Sequence, residues 1–306
     1  MEHIYDMIII GGGPAGYSAA LYAARAGLDT LVLERMGAGG QMTQTTQIDN
    51  YPGFDEGIDG YLLGVKMQSG AQRFGAKTIF AEVTKADLSG SIKRMETSQG
   101  VFLSKTVVIA TGAGHRHLGL AEEEAYEGKG LAYCAACDGM FYRGKTVAIV
   151  GGGNSAAADA MILSRICKEV ILIHRRDSLR ATKIYHEPLQ NAPNLSFRWN
   201  TEVKALTGED RLNGIVLVNN QTGQESRLAV DGLFVSIGRN PATELFRSQL
   251  PLDENGYIVA DESTRTPLPG VFAVGDVRTK ALRQIVTAAA DGAVAVHYAE
   301  EYLAQQ

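Results

Sequence analysis

The segment Asp6-Met-Ile-Ile-Ile-Gly-Gly-Gly-Pro-Ala-Gly16 decides the fold of this 306-residue chain. Its apolar run predicts a β-strand, its G-x-G-x-x-G pattern a tight turn, and the alanine-rich residues that follow a helix. A side chain at Gly11 would obstruct the turn, one at Gly13 would hold the backbone away from a pyrophosphate, and one at Gly16 would separate helix from strand. The pattern therefore predicts a dinucleotide site with its phosphates at the helix N-terminus.

The next predicted strand, residues 30–34, ends in the carboxylate of Glu34. An acidic residue at this place in a Rossmann unit accepts hydrogen bonds from the adenosine ribose. A free 2′-hydroxyl is implied, as in FAD or NAD.

The whole pattern recurs about 140 residues later as Val147-Ala-Ile-Val-Gly-Gly-Gly-Asn-Ser-Ala156, with a predicted helix from 155 to about 166 and a strand at 170–173. Where the first copy has Glu34, the second has His174-Arg175-Arg176, followed by Arg180. Guanidinium groups bind phosphate and a carboxylate repels it, so the second site is predicted to take the 2′-phosphate of NADPH. The first site is left for FAD.

Composition predicts a two-domain globular protein. Hydrophobic residues make up 45% of the chain and charged residues 21%, and the net charge of −5 offers no general attraction for nucleic acid or an anionic membrane. The run Glu122-Glu123-Glu124 is interpreted as a solvated surface segment. No apolar stretch is long enough to span a membrane, and the chain runs into its first strand without a signal peptide, so we expect a cytoplasmic protein.

Three cysteines argue against a framework of structural disulfides. Cys167 is expected to be a buried thiol that acts as a small hydrophobic residue. Cys134-Ala-Ala-Cys137-Asp138 is interpreted as a redox pair whose thiol pKa is lowered by a following helix. Asp138 is predicted to carry the proton that exchange requires, and a helix N-cap is its alternative role.

Two nucleotide sites and a dithiol predict a disulfide reductase. A hydride from NADPH would reduce the flavin, the electron pair would pass to the Cys134–Cys137 disulfide, and the dithiol would exchange with a partner disulfide. The fold class is predicted as α/β, with two Rossmann-like domains of three-layer ββα type. An FAD domain of residues 1–114 and 243–306 would contain an inserted NADPH domain of residues 115–242. The β segments of the FAD domain are predicted to include 79–83 and 101–103, and its last helix is predicted to run from about 282 to 303.

The chain resembles the low-molecular-weight, bacterial-type thioredoxin reductases, class II pyridine nucleotide-disulfide oxidoreductases that are homodimeric flavoproteins. Besides the two fingerprints and the C-x-x-C-D sequence, the resemblance rests on Gly39-Gly40-Gln41, Asn50-Tyr51-Pro52-Gly53, Ala110-Thr111-Gly112, His174-Arg-Arg-Asp-Ser-Leu-Arg180, Gly275-Asp276-Val277 and Arg283-Gln284.

This resemblance implies thioredoxin or a thioredoxin-like protein as partner, and a swivelling of the inserted domain about segments 112–117 and 238–243. It implies that FAD contacts Gly11, Gly13, Pro14, Ala15, Gly16, Glu34, Arg35, Gly39, Gly40, Gln41, Asn50, Val83, Ala110, Thr111, Gly112, Gly275, Asp276, Arg283, Gln284 and Ile285. For NADPH it implies Gly151, Gly153, Asn154, Ser155, Ala156, His174, Arg175, Arg176, Arg180, Ile237, Gly238 and Arg239. Asp276 would bind the ribityl chain, and Arg283 and Gln284 would face the isoalloxazine.

The chain departs from the family pattern at three places. Ala136 replaces a common threonine, Ala158-Asp159 replaces a usual pair of glutamates, and Leu179 replaces a frequent aromatic. The missing glutamate at 158 puts the placement of the nicotinamide, and so the catalytic rate, in question.

The sequence is compatible with several alternatives. His115, His117 and the two cysteines could form a zinc site by residue type. Flavoproteins fed by ferredoxin would lack the arginine cluster, ferredoxin–NADP reductases would lack the dithiol, and a peroxiredoxin reductase would carry a further N-terminal module. A reductase of another thioredoxin-like or glutaredoxin-like partner stays open, as does a nucleotide-binding redox sensor without turnover.

Overall fold

A computed structural model describes residues 3–306 of the chain. The chain divides into two compact units: an outer unit, formed by the chain up to Gly114 and by Asn240–Gln306, and an inserted unit, His115–Arg239. The outer unit resumes at Asn240, near the boundary that the sequence predicts after residue 242, and within this unit Ala242 N donates to Gly112 O at 3.0 Å.

Seventeen strands and seven α-helices are found in the described residues. The strands are β1 (Ile4–Ile10), β2 (Thr30–Glu34), β3 (Lys77–Phe80), β4 (Val83–Asp87), β5 (Lys93–Thr97), β6 (Gly100–Ile109), β7 (Ala113–His115), β8 (Leu131–Ala132), β9 (Thr146–Val150), β10 (Glu169–Ile173), β11 (Leu195–Arg198), β12 (Thr201–Gly208), β13 (Leu212–Asn219), β14 (Glu225–Ala229), β15 (Gly232–Val235), β16 (Arg239–Pro241) and β17 (Val271–Ala273). The helices are α1 (Pro14–Arg25), α2 (Gly60–Gln72), α3 (Glu123–Tyr126), α4 (Ala135–Asp138), α5 (Asn154–Ser164), α6 (His186–Gln190) and α7 (Ile285–Leu303).

The sheet of the outer unit has the order β3-β2-β1-β6-β5-β4, with β17 also paired to β6. Strands β1, β2, β3, β6 and β17 run parallel, whereas β4 and β5 pair antiparallel. The single β segment predicted at 79–83 is wrong, because β3 pairs with β2 and β4 pairs with β5 at the opposite edge. The apolar runs of β1 and β2 are buried, as a parallel strand covered on both faces requires.

Two hydrophobic clusters cover the two faces of this sheet. One cluster joins the parallel strands to α1 and α7. The other joins the parallel strands to the antiparallel strands β4 and β5 and to the segment 246–260. Helices α1 and α7 approach closely at Gly292, where a Cβ would collide with Ala15 O. Ser18 Oγ also donates to Ala289 O at 2.6 Å across the same contact.

The inserted unit repeats this plan. Its parallel sheet has the order β11-β10-β9-β15-β8, and β12-β13-β14 form a separate antiparallel sheet. One cluster packs α5 against the parallel sheet, and another packs the antiparallel sheet against its opposite face. The predicted three-layer ββα architecture is therefore confirmed.

Candidate functional site

The first glycine turn connects β1 to α1. Gly11 has φ of +108°, and a Cβ there would collide with Ala110 O, while a Cβ on Gly16 would collide with Gly11 O. A Cβ on Gly13 would meet nothing within 4 Å. Two glycines are thus required by packing, and the middle one faces open space beside the start of α1, where a pyrophosphate fits.

Glu34 lies at the edge of this turn. Gly12 N donates to Glu34 Oε2 at 2.6 Å, and Met36 N donates to Oε1 at 3.0 Å. Gly39 N donates to Gly12 O at 2.8 Å, so the segment that begins at Gly39 folds against the same turn. Arg35 is exposed, with its Nη1 3.9 Å from Glu82 Oε1.

Packing also brings the chain after β17 to the first glycine turn. A Cβ on Gly275 would lie 3.0 Å from the Cβ of Ala15, which belongs to the first turn of α1. Gly275 N donates to Asp291 Oδ2 at 2.8 Å, which holds the Gly275–Val277 turn against α7. Asp276 therefore lies next to a fingerprint that is remote in sequence.

The N-terminus of α7 orders further predicted FAD residues. Gln284 is the N-cap of this helix in a capping box with Thr287, and Asn50 Nδ2 donates to Gln284 Oε1 at 3.1 Å. The Arg283 guanidinium stacks 3.9 Å from the Tyr257 ring centroid.

Four other predicted residues lie in fixed surroundings. Val83 is buried in the core, and Ile285 packs on a cluster formed by Met42, Ile48, Ile58 and Leu63. Gln41 Nε2 donates to Ala113 O. Thr111 Oγ1 donates to Ala242 O at 2.8 Å.

The second glycine turn connects β9 to α5 with the same division of roles. Gly151 has φ of +152°, and a Cβ there would collide with Ser236 O, whereas a Cβ on Gly153 would meet nothing within 4 Å. Asn154 begins α5, and its Oδ1 accepts from Thr182 N at 2.8 Å. Arg180 N donates to Gly152 O at 2.7 Å, so the fold carries this arginine back to the turn.

His174 occupies the place that Glu34 has in the first copy. It is 5% exposed, and a Cβ on Gly152 would collide with its ring. Burial, followed by the nearby charges of Arg180, Arg176 and Arg175, lowers the pKa of His174. Among the residues described, its Nε2 has no hydrogen-bond partner.

Arg175 and Arg176 are exposed at the C-terminal end of β10, and Ile237, Gly238 and Arg239 follow β15, which is parallel to β10 and separated from it by β9. Polar groups at the carboxyl ends of parallel strands are the usual ligand-binding edge of such a sheet. The cationic cluster suits an anionic group on a nucleotide at this edge.

Cys134 and Cys137 form a disulfide with a Cα–Cα distance of 5.3 Å. Cys134 precedes the single turn α4, and Asp138 N donates to Cys134 O at 3.0 Å. Burial raises the pKa of Asp138 to about 6. Its side chain makes no capping hydrogen bond to the following 3₁₀ turn, Gly139–Tyr142.

A buried polar network next to the disulfide was missed in the sequence. Glu123 is 2% exposed, so its interpretation as part of a solvated run is wrong. Its carboxylate accepts from Leu118 N at 2.8 Å, Gly119 N at 2.9 Å and Tyr133 Oη at 2.8 Å. Tyr133 also contacts His117 Nδ1 at 2.9 Å and stacks on His115. An acidic run alone carried no signal that one member would be buried.

His115 and Cys167 have strongly shifted pKa values. Burial, with the charges of Arg239 and His117, lowers the pKa of His115 to about 4. Cys167 is the buried thiol that the sequence predicted, and burial raises its pKa to about 11. In the range 3–306, no group of three or more histidines, cysteines or acids is arranged to hold a metal ion.

The two nucleotide turns and the C-x-x-C disulfide define a class of protein, and comparison with known proteins gives the same result. The chain belongs to the pyridine nucleotide-disulphide oxidoreductase family, whose model matches residues 5–292. Family membership and the relatives below imply FAD and NADPH as cofactors.

The individual relatives narrow the comparison from this broad family to thioredoxin reductases. The thioredoxin reductase of Streptomyces clavuligerus is 48% identical over 99% of this chain and 95% of its own, and that of Listeria monocytogenes is 45% identical with the same coverage. The crystal structure of thioredoxin reductase from Streptococcus pyogenes superposes with a TM-score of 0.93 at 41% identity, covering 100% of both chains.

No helix in the described part of the chain is long and apolar enough to cross a membrane.

Proposed function

We propose that this chain is an NADPH-dependent flavoprotein that reduces the disulfide of thioredoxin or a thioredoxin-like protein. The observation that carries the proposal is the Cys134–Cys137 disulfide, which lies in the same compact unit as a nucleotide turn surrounded by arginines. Relatives named thioredoxin reductase, matched along nearly the whole chain, support the choice of partner.

In this proposal the outer unit holds FAD. Gly13 leaves space for the pyrophosphate, and the Glu34 carboxylate accepts hydrogen bonds from the ribose hydroxyls. Asp276 lies beside the same turn, where it binds the ribityl chain. Arg283 and Gln284 at the start of α7 face the isoalloxazine. The packing of Gly275 on Ala15 and the capping box of Gln284 support these assignments.

The inserted unit would hold NADPH. Gly153 leaves space for the pyrophosphate, and Arg175, Arg176 and Arg180 would bind the 2′-phosphate. Two features support this assignment. Arg180 N donates to Gly152 O of the turn, and the buried His174 ring, whose pKa is lowered, lies against Gly152 as well.

When bound, FAD accepts a hydride from NADPH and supplies the electron pair that reduces a disulfide. The net first half-reaction consumes NADPH, a proton and the Cys134–Cys137 disulfide, and yields NADP⁺ and the dithiol. In the second half, one thiolate attacks a sulfur of the partner disulfide, forming a mixed disulfide and releasing a partner thiolate. The second cysteine then attacks the mixed disulfide, which restores Cys134–Cys137 and frees the partner dithiol.

Asp138 would serve the second half-reaction. The thiolates released on the partner take up protons. The Cys134 and Cys137 thiols must lose their own protons before they can attack. A carboxyl whose pKa is about 6 exists in both protonation states near neutral pH, so it can give and take these protons.

The surface next to the disulfide supports a macromolecular partner. Met140 and Phe141 directly follow Asp138 and the Gly139 that closes α4, and they are 56% and 46% exposed. Large apolar side chains that stay exposed are typical of protein-binding surfaces. We further propose a homodimer in the cytoplasm, where a reducing environment lets a dithiol of this kind turn over.

The test is NADPH oxidation by the flavin-loaded protein with a panel of oxidised thioredoxins and glutaredoxins. We expect turnover with at least one thioredoxin, and none with a variant carrying both Cys134→Ser and Cys137→Ser. Turnover with glutaredoxins alone would favour the alternative partner. Anaerobic reduction of the flavin by NADPH without turnover on any disulfide would favour a redox sensor.

A further inference from the structure

We propose that Asp159 is a positioning residue for the redox disulfide, joining the Cys134–Cys137 turn to the nucleotide-binding helix α5. This inference deepens the proposed function and rests on it. In the sequence, Asp159 stands out only as a departure from the family pattern. In the structure, three groups from separate elements of the inserted unit interact with its carboxylate: the Ala135 amide of the dithiol turn, the Ser236 hydroxyl after β15, and Arg239 at the start of β16.

The first element is the dithiol turn itself. Helix α4 packs directly on α5: Ala135 of α4 lies in one buried hydrophobic cluster with Ala156, Ala157 and Ala160 of α5. These small side chains let the two helices approach closely. At the same contact, a Cβ on Gly139 would lie 3.2 Å from side-chain atoms of the α5 segment, so the turn has little room to shift.

Polar contacts then fix the turn in register. Asp159 Oδ2 accepts a hydrogen bond from Ser236 Oγ, and the backbone amide of Ala135, the residue after Cys134, stabilises the charged carboxylate. Ser236 follows β15, and its carbonyl is the group that excludes a side chain at Gly151. Asp159 is therefore connected on one side to the dithiol and on the other to the nucleotide turn.

The carboxylate also contributes electrostatically. Burial raises the pKa of Asp159, whereas Ser236, Arg239 and the Ala135 amide lower it. A negative charge beside the amide that adjoins Cys134 disfavours a thiolate in the reduced pair, as does ionised Asp138. Arg239 partly offsets the charge of Asp159. Loss of the Asp159 charge should thus favour the dithiol over the disulfide, which a purely structural residue would not do.

The experiment measures the dithiol–disulfide equilibrium of the flavin-loaded full chain in dithiothreitol buffers at pH 8, by alkylation of Cys134 and Cys137 and peptide mass spectrometry. Asp159→Asn keeps an oxygen for Ser236 and removes the charge. We expect it to shift the equilibrium constant toward the dithiol by about threefold or more, and to lower the pH at which the reduced pair is half-alkylated. Asp210→Asn, at an exposed position between β12 and β13, makes the same chemical change as a matched control and should leave both readouts unchanged.

Ser236→Ala provides a second, milder variant. It removes a hydrogen bond that favours the charged carboxylate, so we expect a shift in the same direction and about half as large on a logarithmic scale. Equal equilibrium constants for Asp159→Asn and Asp210→Asn would overturn the proposal. If Asp159→Asn fails to fold, wild-type behaviour of Ser236→Ala overturns it instead. Neither readout requires NADPH or thioredoxin, so a failed proposed function appears separately, as a wild-type protein that does not reduce thioredoxin.

Discussion

Arg278 and Asp291 form a two-pronged ion pair inside the outer unit, with Nε 2.9 Å from Oδ2 and Nη2 2.9 Å from Oδ1. The Arg278 side chain is 1% exposed, and Lys280 Nζ adds a third contact at 2.8 Å from Oδ2. Although burial alone would raise it, these hydrogen bonds and charges hold the pKa of Asp291 below its usual value. The same carboxylate holds Gly275 N, so one buried cluster both stabilises the unit and positions the Asp276 turn.

Asp291→Ala should lower the free energy of unfolding by about 3–5 kcal/mol, because it leaves buried cations without their partner. Since the pKa of Asp291 is lowered, its stabilising contribution is present above the ordinary aspartate pKa and is lost as the pH falls through the lowered value. Urea unfolding at pH 7 measures the loss. Glu301→Ala breaks the exposed Arg265 pair and should cost less than about 1 kcal/mol. Equal losses for the two variants would contradict the role of burial.

Gly13→Ala and Gly153→Ala should separate nucleotide binding from folding. A methyl group at either position meets no protein atom within 4 Å, so the unfolding free energy of the nucleotide-free protein should change by less than about 1 kcal/mol. The methyl occupies the space assigned to a pyrophosphate. We therefore expect FAD affinity to fall about tenfold or more in Gly13→Ala, and NADPH affinity to fall similarly in Gly153→Ala, by fluorescence titration. Unchanged affinities would remove the assigned sites.

A strong preference for NADPH over NADH is expected from the arginine cluster. Each charge-assisted contact contributes on the order of 1.5–3 kcal/mol, so the loss of two should cost at least about tenfold in kcat/KM. Arg175→Ala combined with Arg176→Ala should erase the preference without changing the rate with NADH. Equal efficiency of the wild-type protein with both nucleotides would contradict the assignment.

Cys134→Ser and Cys137→Ser should each abolish thioredoxin reduction, because exchange needs one thiol to attack and another to resolve the mixed disulfide. Flavin reduction by NADPH should persist, since it uses neither sulfur. Stopped-flow absorbance of the flavin and a steady-state assay distinguish the two steps. Cys167→Ser is the control and should retain turnover, because Cys167 is buried and its pKa is raised to about 11. Wild-type turnover of the double variant would exclude the proposed electron path.

Asp138→Asn should make the protein more stable and less active. Its pKa is raised by burial to about 6, so ionisation is penalised in the folded state above that pH, and the penalty disappears as the pH falls below the ordinary aspartate value. The variant should gain about 1–3 kcal/mol of unfolding free energy at pH 8 and nothing near pH 4. It should also slow thioredoxin turnover more than flavin reduction. A stability difference that is independent of pH would contradict the raised pKa.

The sequence by itself determined the features that depend on local spacing. The strand–turn–helix at Gly11, its copy at Gly151 and the C-x-x-C pair could be predicted because glycine turns and apolar periods act over a few residues. The extent of β3 and β4 could not, because an apolar run does not reveal which neighbour each strand will pair with.

Only the tertiary structure decided which distant groups meet and which charges lose their water. Gly275 reaches Ala15, Arg180 returns to Gly152, and Asp159 lies between the dithiol turn and Ser236 through packing between elements far apart in the chain. Glu123 reads as one of three similar acids, yet it alone among them accepts three hydrogen bonds in a buried site. Burial and partner identity follow from the whole fold, and they set the pKa values on which the chemistry depends.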